Sequence, residues 1–154
     1  MNYHDGMILP DSNSARMLIG YYGIFQFAHI IVNTRGLFLL YSGSPLDFPA
    51  PPPASGWPAE TINFMIAIGW VDLMGAFLAL VFVWAFFTVT KWRLWLGGVC
   101  LTISSYAAIV YAYWSIASDA WQDNLFVYGF VNIAFLPIAY LFYLSCRWGF
   151  SGQR

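Results

Sequence analysis

The sequence predicts an all-α integral membrane protein: an antiparallel four-helix transmembrane bundle with both termini cytoplasmic. Three observations carry that expectation. Hydrophobic residues make up 60% of the chain and charged residues only 8%, whereas a soluble domain carries roughly a quarter charged. The apolar residues fall into four blocks, about 17–41, 62–89, 94–118 and 124–146, each longer than the roughly 20 residues a helix needs to cross a bilayer. Finally, the basic residues collect on one side of a four-span topology.

The first block follows a polar segment, residues 1–15, with Asp5, Asp11 and Ser14. That segment lacks the basic region and short apolar core of a cleaved signal peptide. Six prolines (Pro45, Pro49, Pro51, Pro52, Pro53 and Pro58) crowd residues 42–60. Such a stretch cannot be helical and is expected to run extended over the membrane surface. The connections at 91–93 and 119–123 are short, which makes consecutive helices antiparallel neighbours. No internal repeat of 20–50 residues is evident, so 1–154 reads as one membrane domain.

Arg16, Lys91, Arg93, Arg147 and Arg154 fall on one side, and Asp47, Glu60, Asp119 and Asp123 on the other, with Arg35 the only nearby cation. The positive-inside rule then places both termini in the cytoplasm, of a bacterial cytoplasmic membrane or, in a eukaryote, the ER membrane. Trp57, Trp92, Trp95, Trp121 and Trp148 sit near span ends, as an aromatic belt requires. A net charge of −1 gives no footprint for nucleic acid. The two cysteines, Cys100 and Cys146, read as packing thiols.

A plain anchor needs no polar side chains at mid-bilayer, where an ionised, unpaired one costs about 2–3 kcal/mol. Block one nevertheless carries Gln26, His29 and Asn33, within about 60° of one another on a helical wheel, with Tyr22 close to the same line. Arg35 points about 160° from Asn33 and is expected to snorkel to the outer headgroups. Block two places Asp72 a few ångströms outward of the bilayer centre, level with Val32 and Asn33. Block three offers a stripe of Cys100, Ser104, Ala108, Tyr111 and Ser115, and block four Tyr128 and Asn132, the latter at about Asp72's depth. The expectation is one internal polar layer, shifted outward and open toward the outer leaflet.

Each polar group has two readings. Ser104, Tyr111 and Asn132 can simply hydrogen-bond neighbouring helices, worth about 0.6 kcal/mol each. An intramembrane carboxylate is a functional candidate by default, so Asp72 must be neutral, face water, or pair with His29 or Arg35. Gly69 and Ala76 beside it suit close helix packing. His29 is the only histidine in the spans, which excludes bis-histidine haem but leaves single-histidine ligation open. A zinc or di-iron site lacks ligands, and a secondary transporter lacks the expected repeat. What remains is a lipophilic small molecule handled by proton transfer or cation stabilisation. Asp72 would exchange the proton, His29 relay or coordinate, Tyr111 and Asn132 orient an oxygen, and Phe27, Trp70 and Trp114 stabilise positive charge.

Several segments resemble the styrene oxide isomerase family of small four-helix membrane proteins. They are Gly23-Ile24, Gly36-Leu37-Phe38, Asp47-Phe48 with Gly56-Trp57, Asn63-Phe64-Met65, Arg93-Leu94-Trp95-Leu96-Gly97, Tyr111, and the run from Leu136 to Phe142. The resemblance implies a trimer binding haem b, whose iron acts as a Lewis acid on an epoxide, with Tyr111 and Asn63 handling substrate. That family's axial histidine opens the second helix, where this chain has Glu60-Thr61-Ile62, leaving His29 as the axial-ligand candidate. The chain also resembles the emopamil-binding (EXPERA) sterol isomerases, through His29-Ile30, Asp72, Lys91-Trp92-Arg93 and Pro137-Ile138. That family favours Glu at the position of Asp72, and its acid near the end of the first helix is unmatched.

Both resemblances imply an isomerase acting on a small lipophilic substrate, an epoxide or a sterol- or isoprenoid-like molecule. Asp72, His29 and Tyr111 are the expected catalytic residues, and Gln26, Asn33, Asn63, Ser104, Asn132 and Tyr128 the expected substrate contacts. The expected partners are that small molecule, membrane lipids and further copies of the chain, as a dimer or trimer. The competing reading is a non-catalytic accessory subunit, or a lipid- or pigment-binding protein, of a larger membrane complex.

Overall fold

The computed structural model describes residues 13–88 and 92–151. His4, Lys91 and Arg154, and the side chain of Trp148, lie outside the described residues. Four long helices, α1 (Asn13–Tyr41), α2 (Ala59–Phe87), α3 (Arg93–Ala117) and α5 (Leu125–Ser151), are joined by the loop 42–58 and by a single turn, α4 (Ala120–Asp123). All four long helices are long and apolar enough to cross a membrane.

The helices extend past the apolar blocks at several ends. α1 begins at Asn13 and α5 continues beyond Arg147, because hydropathy marks the stretch suited to lipid whereas helical hydrogen bonding carries on into polar sequence. α2 starts directly after Pro58, whose missing N–H costs nothing at a helix entrance. The short connection at 119–123 closes a single helical turn, α4.

Around the bundle the order is α1, α2, α3, α5, with α1 and α5 closing the ring through their thinnest contact. Tyr21 bridges that seam: its hydroxyl donates to the Ala134 carbonyl at 2.8 Å. The acceptor lies next to the Ile133 carbonyl, which loses its helical donor to Pro137. Outward-facing positions such as Ile24, Phe38, Met74, Ile109, Tyr113 and Phe126 are large, apolar and exposed, as lipid contact requires.

The interior divides into two clusters. Toward the Arg16 and Arg147 end, Ala15, Ile19, Tyr22, Ala79, Phe82, Leu101, Ile138 and Leu141 pack tightly. A Cβ added at Gly97 would meet the Phe82 ring at 2.8 Å, so the ring lies directly on the glycine. Toward the other end, Leu46, Ala50, Ala120 and Tyr128 form a second cluster with Tyr111, Trp57, Trp114 and Trp121.

The proline-rich loop belongs to this second cluster and is docked on the helices. Its prolines lack N–H groups, so their neighbours' carbonyls need donors from elsewhere. Tyr111 donates to the Pro49 carbonyl at 2.6 Å, Tyr128 to Pro51 at 2.8 Å and Asn124 to Pro52 at 3.1 Å. The Asp123 carboxylate accepts the Ala54 N–H at 3.0 Å, and Trp57 lies against Trp114 with ring centroids 4.8 Å apart. Arg35 does not reach out alone to headgroups: both its terminal nitrogens donate to Asp47, at 2.7 and 2.8 Å.

Candidate functional site

Asp72 faces the bundle interior at the boundary between two cavities. The larger, about 120 Å³, lies between α1, α2, α3 and the loop, and its wall includes Asn33, Leu46, Met65, Asp72, Tyr111 and Trp114. The smaller, about 20 Å³, lies between α1, α2, α3 and α5, and is lined by Gln26, His29, Asp72, Gly75, Ala76, Ile103, Ser104, Ala107 and Phe135. Asp72 and Ala107 border both. Among the described residues, neither Asp72 nor His29 has a hydrogen bond or ion pair to a protein group. Arg35, the expected alternative partner of Asp72, is taken by Asp47.

Close packing of α1 on α2 sets the floor of the larger cavity. A Cβ at Gly69 would sit 3.0 Å from Leu37 and 3.3 Å from Asn33 Oδ1, so a larger residue would make these side chains give way. The bared Gly69 carbonyl accepts the Asn33 side-chain amide at 2.8 Å. Asp72 follows Gly69 by three residues and so lies on the same face, one turn deeper.

The smaller cavity is backed by a directed chain of hydrogen bonds. Gln26 Nε2 donates to Ser104 Oγ at 3.2 Å, Ser104 Oγ lies 2.7 Å from the Tyr22 hydroxyl, and that hydroxyl donates to the Cys100 carbonyl at 3.4 Å. Gln26, Ser104 and Tyr22 are all buried. His29 packs against Phe25, with ring centroids 6.1 Å apart.

The structure therefore brings together Gln26, His29, Asn33, Asp72, Ser104 and Tyr111, from three helices. The fourth helix adds no polar group. Asn132 donates to Ser115 Oγ at 3.2 Å and to the Tyr128 carbonyl of its own helix at 2.8 Å, and lines neither cavity. Ser115 lies eight residues beyond Ala107, about 12 Å further along α3 toward Ala117, so Asn132 sits away from the layer to which depth counting assigned it. Tyr128 is spent on the loop, and Asn63 is exposed. Of the three aromatic rings expected at the site, only Trp114 lines a cavity. Phe27 and Trp70 face outward, and Trp70 donates to the Tyr41 hydroxyl at 3.1 Å. Sequence reasoning missed Leu46, Pro49 and Ala50 as part of the wall.

The volumes bear on cofactor and substrate alike. A cavity of about 20 Å³ holds about one water, so no porphyrin fits beside His29 within this chain. Among the described residues no group of three or more His, Cys, Asp or Glu could hold a metal ion. The larger cavity, at 120 Å³, is slightly smaller than an engineered cavity of about 150 Å³ known to admit benzene. No protein-family model matches the chain, and neither does any curated protein or solved structure.

Proposed function

We propose that the protein is a membrane-embedded isomerase that binds a small lipophilic molecule in the larger cavity and rearranges it by proton transfer at Asp72. The observation that carries this reading is a carboxyl group without a protein partner, forming part of the wall of a mostly apolar, ligand-sized cavity. An ionisable group in a span demands a reason, and a structural ion pair would have supplied one. The size of the cavity favours a single-ring epoxide or a short isoprenoid olefin over a sterol nucleus.

The chemistry balances on one carboxyl group. With an olefin, the Asp72 O–H bond breaks and a C–H bond forms at one alkene carbon; the resulting cation then loses a proton from a neighbouring carbon back to the carboxylate. Trp114 in the wall offers its π-face to that cation. The Tyr111 hydroxyl, although it donates to Pro49, keeps a lone pair that can accept from an epoxide oxygen once Asp72 has protonated it.

The same proposal places Arg16, Arg93 and Arg147 at the cytoplasmic end and the loop 42–58 outside, by the positive-inside rule. The cavity then lies toward the outer leaflet, where a lipophilic molecule enters from the bilayer.

The test uses the full chain in lipid nanodiscs. Styrene oxide and a C5–C10 isoprenoid olefin are titrated while tryptophan fluorescence is followed, and products are separated by gas chromatography. Quenching that disappears in Trp114→Phe, together with an isomerised product, is the expected result. Failure of both probes to bind would overturn the substrate reading and favour an accessory-subunit role.

A further inference from the structure

The structure assigns a second site behind the acid: we propose that the small cavity holds one water molecule, which passes protons between Asp72 and His29 and is positioned by Gln26. The inference rests on Asp72 being the acid, and it concerns a cavity separate from the one proposed for substrate.

Size and lining point to the same occupant. A water needs about 10–15 Å³ and two to four polar partners. This cavity offers about 20 Å³ and the side chains of Gln26, His29, Asp72 and Ser104. A group larger than water does not fit. The carboxyl and the imidazole both line this cavity without a protein partner, and one water between them satisfies both.

The chain behind the cavity fixes what Gln26 presents to that water. Either hydroxyl can donate across the 2.7 Å contact between Tyr22 and Ser104, whereas an amide nitrogen can only donate. Ser104 Oγ must then accept from Gln26, as the 3.2 Å contact from Nε2 shows. Beyond that contact Gln26 keeps Oε1, an acceptor, and the second Nε2 hydrogen for the cavity it lines, and Oε1 is the atom assigned to the water. Gln26 is accordingly a positioning residue: it holds the water by accepting one of its hydrogens. Toward the other end of Tyr22 the bundle is filled by Ile19, Phe82 and Leu101, so the polar chain stops there.

The proton step balances. When Asp72 is protonated, its O–H bond breaks as a bond to the water oxygen forms. A water O–H breaks in turn as an N–H forms on His29, leaving carboxylate and imidazolium with the water unchanged. The reverse step reloads the acid.

Infrared spectroscopy of the protein in nanodiscs, at a pH low enough to protonate the carboxyls, tests this without any substrate. The C=O band lost in Asp72→Asn identifies Asp72. Exchange into D2O is expected to shift that band. In Gln26→Leu and in Ser104→Ala the band is expected to move to higher frequency and to exchange at least several-fold more slowly. Ser115→Ala, on the same helix but away from the cavity, is expected to leave it unmoved. A band unchanged in both Gln26→Leu and Ser104→Ala, in protein that retains its helical circular dichroism, would overturn the proposal. If the band responds as expected but neither styrene oxide nor the olefin binds, the water site stands and the substrate reading falls.

Discussion

The two ends of the bundle solve the packing problem in opposite ways. At the Arg16 and Arg147 end, small residues receive large ones: Phe82 lies on Gly97, and Val83 would meet a Cβ on Gly23 at 3.1 Å. In that cluster Tyr22 carries a hydroxyl and Cys100 a thiol, and the other buried side chains are apolar. At the other end a loop is docked on the helices, and cohesion comes from hydroxyls and amides on proline carbonyls and from aromatic contacts. Both cavities and Asp72 lie between these two regimes. Without a hydrophobic drive between helices in lipid, tight van der Waals packing is the rigid element. The polar end can then be spent on a roof and a pocket.

The largest expected effect falls on Asp72. Asp72→Asn should lower turnover of whichever probe is isomerised by about 10²–10⁴-fold, the usual worth of a positioned general acid. Thermal stability should hold or rise, because the change removes an ionisable group that has no protein partner. A large loss of stability with little loss of turnover would mean that the carboxyl is structural and would erase the contrast between the two ends.

Phe82→Ala should show the reverse pattern. Emptying the space over Gly97 costs about 3 kcal/mol if the surroundings do not relax, read as a lower midpoint of thermal or detergent unfolding. Probe affinity should stay within a few-fold of wild type, since Phe82 touches neither cavity. Tyr128→Phe sits between the extremes. It leaves the Pro51 carbonyl without its donor and should cost about 1 kcal/mol. Because it loosens the roof, it should also speed probe release in a fluorescence stopped-flow measurement.

The same division explains what the sequence made legible. Four spans, and the convergence of Gln26, His29, Asn33 and Ser104 with Asp72, follow from helical period and depth, which are local rules. Asn132 and Tyr128 escaped those rules. Depth counting assumes straight, level helices and ignores competing partners, and here Ser115 and the loop carbonyls claimed both side chains. Arg35 escaped for a similar reason: its partner Asp47 is twelve residues on, in a loop whose path no periodicity describes. Composition marks that loop as non-helical but is silent on its docking, because the carbonyls that dock it are common to every residue.

The smallest expected effect concerns that tether. Arg35 and Asp47 are both more than half exposed, so solvent and salt screen the pair. The Arg35 guanidinium nonetheless holds the Asp47 carboxyl down to about 2, below its ordinary value of 3.8. A depressed carboxyl stabilises the folded loop above the ordinary value, and that contribution fades as pH falls from about 4 through about 2. Between pH 5 and 8 the tether should therefore be constant. Hydrogen exchange of the backbone amides in the loop 42–58 should accelerate on acidification in wild type. In Asp47→Asn exchange should already be fast at pH 6, with no further pH step beyond the intrinsic chemistry. Since Tyr111, Tyr128 and Asn124 hold the loop through groups that stay uncharged in this pH range, the roof should stay seated in that variant. If Asp47→Asn instead released the whole loop and emptied the larger cavity of its probe, the ion pair would be the main fastening, and the proline carbonyls would count for little.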